Sequence, residues 1–159
     1  MLYDYSVMQL KKFEALLYQI NQIEFTSTME NVYHSSIGMH SRHIIEFYEM
    51  FCSGYDVGVI NYEKRNRNSA YETDVNLAIN RIKFLQEELF KCRPDKDLKL
   101  IIELDETKIE MPTTSRRELL YLMEHTTHHI ALIRMGLQNI NAAKNTFEKL
   151  GMAYSTPSK

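Results

Sequence analysis

The sequence predicts an all-α fold: an up-down four-helix bundle with a small β-hairpin inserted before the last long helix and a short C-terminal helix. Three observations carry this. Glycine and proline are scarce, five and three in 159 residues, which leaves little punctuation for many short strands. Four segments repeat apolar residues at spacings of three and four, the signature of one buried helical face. One segment instead alternates apolar and polar side chains, as a half-buried strand does.

Residues 3–22 predict the first helix, with Tyr3, Val7, Leu10, Phe13, Leu17 and Ile20 on one stripe and Lys11 and Lys12 on other faces. Residues 36–53 predict the second, on Ile37, Ile44, Phe47, Tyr48 and Phe51. Ser35 or Ser36 suits its N-cap, and Gly54 its stop. The connection GYDVGVINYEKRNRNSAYET is polar, and its first half has no helical period. A third helix is expected at 70–91 on Val75, Leu77, Ala78, Ile82, Leu85 and Leu89, ended by Pro94 and Asp95.

The alternating segment is DLKLIIELDETKIEM, with Leu98, Leu100, Ile102 and Leu104 on one face. Asp105 and Glu106 can turn the chain back through Ile109 and Met111 to close a hairpin. Pro112 breaks the strand, Thr113 or Ser115 caps, and the fourth helix runs to Asn139; Ser115 and Glu118 have the spacing of a capping box. A short amphipathic piece at 141–150 and a polar tail follow. No repeat or low-complexity segment interrupts what reads as a single domain over 1–159.

Nineteen basic and 21 acidic residues give a net charge of −2. That balance argues against nucleic acid or an anionic membrane as the main partner. The N-terminus lacks the basic and apolar regions of a secretory signal, and no apolar run reaches the ~18 residues a membrane helix needs. With only Cys52 and Cys92, each alone in the sequence, free thiols in a reducing, cytoplasmic setting are expected. The nine methionines and seventeen aromatics (7 Phe and 10 Tyr) suit an adaptable core.

Chemistry concentrates in the histidines. Three of the six fall in EHTTHHIALIR, residues 124–134. His125 and His129 are four apart, so they stack on one helical face beside the apolar band of Leu119, Thr126, Ile130, Ile133 and Leu137. His128 is turned off that face. Two imidazoles so placed can reach one cation at about 2 Å per nitrogen. The second helix offers His40 and His43. His40 lies nearer the middle of its apolar stripe and His43 toward one edge, and spacing alone does not choose between them. The glutamate of H-E-x-x-H is absent. Three nitrogens without a fourth protein ligand leave coordination open, which suits a bound water or substrate.

The pattern S-I-G-x-x-x-x-H from Ser36 to His43, with H-x-x-H-H-x-x-x-x-R from His125 to Arg134, resembles the DinB-like superfamily of four-helix-bundle metalloproteins. The resemblance covers most of the chain, and its motifs are short. It implies a divalent metal, Zn or Ni first and Fe or Mn next, on His43, His125 and His129. It also implies a small-molecule substrate of the low-molecular-weight thiol kind, because members include thiol-dependent S-transferases and maleylpyruvate isomerases. A homodimer is implied in the same way.

Three function classes follow: a metalloenzyme delivering thiolate or hydroxide, a non-catalytic, stress-related metal-binding bundle, and a metal-free bundle. No general acid or base is singled out, so the catalytic residues are left open, and no organic cofactor site is expected. The run NYEKRNRN reads first as a solvated loop; its second reading is an anion-binding lip of Tyr62, Arg65 and Arg67. Arg42 and Arg134 read as surface or ion-pair residues. Cys52 and Cys92 read as packed thiols rather than nucleophiles.

Overall fold

Leu10, Phe13, Leu16 and Leu17 are fully buried, and they hold one face of α1 (Leu2–Leu17) against the core. The computed structural model describes residues 1–137; the expected end of the last helix at Asn139, the piece at 141–150 and the tail lie outside the described residues. Helix α1 stops before the expected residue 22. Gln19 and Ile20 donate to the carbonyls three residues back, at 3.0 and 3.2 Å, which tightens and ends the last turn. Asn21 then caps a new helix, α2 (Gln22–Thr26), through a reciprocal capping box with Glu24.

Strands β1 (Thr28–Met29) and β2 (Ser35–Ser36) pair antiparallel and close a loop in which Tyr33 and His34 take left-handed φ of 50° and 55°. Helix α3 (Ile37–Val57) follows, with the Ser36 hydroxyl accepting from the Met39 N–H at 3.0 Å. Gly54 is not its stop. The helix continues to Gly58, whose φ of 86° makes the left-handed cap. Gly54 instead permits close packing, since a Cβ there would stand 2.7 Å from the Val59 carbonyl oxygen.

The turn at Gly58 delivers β3 (Val59–Ile60) beside β4 (Asp97–Leu104), parallel to it. A single 3₁₀ turn spans Tyr62–Lys64. The helix expected at 70–91 divides into α4 (Ala70–Thr73) and α5 (Val75–Lys91). Asp74 is the reason: it is extended, and its carboxylate accepts from the N–H groups of Asn76 and Leu77. Leu77, assigned to the buried stripe, is exposed. The expected hairpin forms from β4 and β5 (Thr107–Thr114), turning at Asp105 with φ of 51°. Leu98 anchors it in the core, while Leu104 is exposed. Pro112 does not break β5. It pairs with Lys99 on the outer strand of the β3-β4-β5 sheet, where a proline is tolerated.

Helix α6 (Ser115–Leu137) is capped by Thr114, whose Oγ1 accepts from the Arg117 N–H at 3.2 Å. The Ser115–Glu118 box is not made, because the Ser115 hydroxyl donates to Asp95 and Glu118 turns inward. The long helices share one core, with α1 and α3 each packed on both α5 and α6.

The all-α expectation is overturned. Among the described residues five strands form two sheets, so this is a mixed helix-and-sheet fold and not an all-α four-helix bundle. The hairpin is longer than a small insertion, at eight residues per strand, and the Gly58 turn gives it a third strand. No helix among the described residues is long and apolar enough to cross a membrane.

Candidate metal centre

Helices α3 and α6 pack together, and their contact brings His43 to face His125 and His129. The ring centroids lie 4.9 Å apart for His43–His125, 4.5 Å for His43–His129 and 4.6 Å for His125–His129. One nitrogen from each ring lies within 4.8 Å of the others, and the three together could hold a metal ion. The i, i+4 spacing stacks the α6 pair on one face, as the sequence predicts. His43, and not His40, is the member from α3. His128 is exposed and lies outside the group.

The chemistry of these nitrogens fits a cation. Burial pushes His43 down to about 3, His125 to about 4 and His129 to about 2, with neighbouring imidazoles and Arg65 adding to the shifts. Neutral rings at pH 7 keep the lone pairs that ligation needs. The Nε2 of His125 is buried and has no hydrogen-bond partner. A buried polar atom left unpaired is costly, and an ion between the rings would satisfy it. Three borderline nitrogen donors suit Zn²⁺ or Ni²⁺ better than Ca²⁺ or Mg²⁺, which prefer oxygen. His43, His125 and His129 are each half-buried.

His40 has a different place. It is 8% exposed, and its Nδ1 lies 2.9 Å from Nδ1 of His129 while its Nε2 lies 2.8 Å from the Ser35 hydroxyl. It therefore stands behind His129. The surroundings on the other side are aromatic. Phe47 lies flat on Tyr62, with planes 9° apart and centroids 4.9 Å apart, and Tyr121 approaches Tyr62 and His125. The Tyr62 hydroxyl donates to the fully buried Glu118 at 2.9 Å. Glu118 also receives the Thr113 hydroxyl at 2.6 Å and Arg117 at 3.1 Å.

The anion-binding lip is only partly assembled. Arg65 lies over the Phe47 ring at 5.2 Å, but its Nη1 donates to the Tyr62 carbonyl and its Nε lies 3.5 Å from buried Glu46. Tyr62 is buried and Arg67 is exposed. Arg42 is an ion-pair residue, 2.7 Å from Glu72. Cys52 and Cys92 are not separate: the neighbouring Cys92 thiol, and then burial, hold Cys52 well above the usual thiol range, so it is no activated nucleophile.

Sequence reasoning missed Phe47, Glu118 and the pairing of Ser35 with His40. Phe47 was within reach, since it lies four residues after His43 and so shares its face. Glu118 has a cap's spacing in the sequence, and only the tertiary contact with Tyr62 shows its other role. No family model, curated protein or solved structure matches this chain.

Proposed function

We propose that this protein is a metal-dependent enzyme of the DinB-like kind, in which His43, His125 and His129 hold one divalent ion, Zn²⁺ or Ni²⁺. The observation that carries the reading is the three-histidine group itself, one member of which, His125, has a buried and unpartnered Nε2. The motifs from Ser36 to His43 and from His125 to Arg134 are what supports the family reading. A bound ion of this type lowers the pKa of a ligated thiol or water and so supplies thiolate or hydroxide at neutral pH.

The chain's own residues supply the setting. Three protein nitrogens leave coordination positions open, and the partial exposure of the rings gives a small molecule access to them. Phe47, Tyr62 and Tyr121 wall one side with apolar rings, which lowers the local dielectric and strengthens the pull of the cation on its ligand. Arg65 adds positive charge beside the same wall. This favours thiol transfer, isomerisation or hydrolysis at an open site over a closed structural ion.

The test is metal content. Protein purified without a polyhistidine tag is analysed by mass spectrometry of its metals, beside His43→Ala, His125→Ala, His129→Ala and His128→Ala. About one ion per chain in the wild type and in His128→Ala is expected, with loss in the other three. Near-zero metal in a folded wild type, after incubation with Zn²⁺ and Ni²⁺, overturns the reading.

A further inference from the structure

The proton positions around His129 follow from hydrogen bonds that begin at a main-chain carbonyl in the loop between β1 and β2. Val32 is 1% exposed, and its carbonyl accepts twice from Ser35, from the N–H at 2.9 Å and from the hydroxyl at 2.6 Å. The left-handed backbone of Tyr33 and His34 folds the loop back to make both bonds. A serine hydroxyl has one proton to give. Once it is given to Val32, the oxygen can only accept at its 2.8 Å contact with His40, so His40 Nε2 carries the hydrogen.

A neutral imidazole has one N–H, which leaves a lone pair on Nδ1 of His40. That lone pair faces Nδ1 of His129 at 2.9 Å. The contact needs a hydrogen, and only His129 can supply it. The Nδ1 of His129 is therefore protonated and its Nε2 carries the lone pair. In water an imidazole side chain favours the opposite tautomer, so the surroundings must select this one.

We propose that His40 is a positioning residue: with Ser35 and the Val32 carbonyl, it holds His129 in the Nδ1–H tautomer and commits Nε2 to the metal. The purpose of this arrangement rests on the metal reading above, but its proton accounting does not. The chain of donors runs one way, from the His129 ring to His40, to Ser35, to Val32. It also braces ring orientation, because a histidine tied at one nitrogen cannot swing its other nitrogen freely. Through it, a loop of the β1–β2 ribbon controls a ligand on α6.

The experiment reads the tautomer directly. Long-range proton–nitrogen correlation spectra are recorded on metal-free, nitrogen-15-labelled protein at neutral pH, with His129 assigned from His129→Ala. His129 is expected as Nδ1–H in the wild type. His40→Ala removes the acceptor and is expected to return His129 to Nε2–H. Ser35→Ala, the gentler change, frees His40 to take either tautomer and is expected to give a mixture at His129. His40→Asn places an amide oxygen where Nδ1 stood and is expected to restore Nδ1–H.

In chelator competition with Zn²⁺, His40→Ala is expected to bind about 10–100-fold more weakly than wild type, with His40→Asn recovering most of the loss. An Nε2–H wild type, or a tautomer unmoved by Ser35→Ala and, where it folds, by His40→Ala, overturns the proposal. Because the spectra are taken without metal, a protein that shows the tautomer but binds no ion would sink the functional reading and leave this one standing.

Discussion

Phe47 lies against His125 with ring centroids 4.3 Å apart and planes 24° apart, and it also touches His43 at 4.5 Å. One aromatic ring thus supports a histidine from each of the two helices that meet at the candidate site. Phe47→Leu removes that flat support and is expected to weaken Zn²⁺ binding by about tenfold. A loss of stability of about 1–3 kcal/mol accompanies the poorer packing. Chelator competition and urea unfolding separate the two effects; unchanged affinity would show that the rings hold their angle unaided.

Glu118 depends on its donors. Burial, and then the Glu118 carboxylate, raise the Tyr62 hydroxyl far above its ordinary pKa, so it remains a donor at any working pH. Tyr62→Phe takes one hydrogen bond from a fully buried carboxylate and is expected to cost about 1–3 kcal/mol. The urea midpoint should fall with the slope unchanged. An unmoved midpoint would mean that Thr113 and Arg117 satisfy the carboxylate without Tyr62.

Acid should unfold the metal-free protein early. His40, His43, His125 and His129 are held at about 4, 3, 4 and 2, against 6.5 for an unperturbed histidine, in each case chiefly by burial. Between pH 6.5 and about 4 the unfolded chain therefore binds protons that the folded one refuses. Stability then falls as pH drops through this window, and these groups contribute no slope above it. Glu46, raised by burial, works in the opposite sense as a single group. Thermal melts of chelator-treated protein should show Tm declining as pH falls below about 6.5; a flat profile would mean the rings protonate in place.

The glycine of the S-I-G motif has a steric duty. A Cβ on Gly38 would collide with the backbone carbonyl of Glu72 in α4, whereas one on Gly136 would meet the flexible side chain of Met29. Gly38→Ala is expected to lose about 1–3 kcal/mol through overpacking, despite the roughly 1 kcal/mol that alanine gains over glycine inside a helix. Gly136→Ala should lose less, since Met29 can move aside. Equal midpoints for the two variants would contradict this.

The candidate metal site is legible to the extent that it depends on helical periodicity. The four-residue spacing of His125 and His129 fixes a shared face whatever the tertiary fold. The choice of His43 over His40 was not legible, because it turns on how α3 is rotated against α6, and the resemblance supplied it. The hairpin showed in the alternation around Leu98 and Leu100. The fold class did not, because Val59–Ile60 is too short to show a period and becomes a strand only beside β4. Single side chains also decide boundaries that an apolar stripe runs across. Asp74 and Asn21 each start a new helix by capping it, and Gly54 looks like a stop until Val59 is seen to need its space.

The proline in β5 bears on what the sheet avoids. As the outer strand of the β3-β4-β5 sheet, β5 is mostly exposed and presents Ile109 and Met111 to solvent. Such an edge is a template on which a strand from another chain can add. Pro112 has no N–H to offer it, and the paired charges of Lys108 and Glu110 keep the neighbouring face hydrated. The residue that looked like a strand breaker thus leaves the strand intact and interrupts the growth of the sheet into an aggregate.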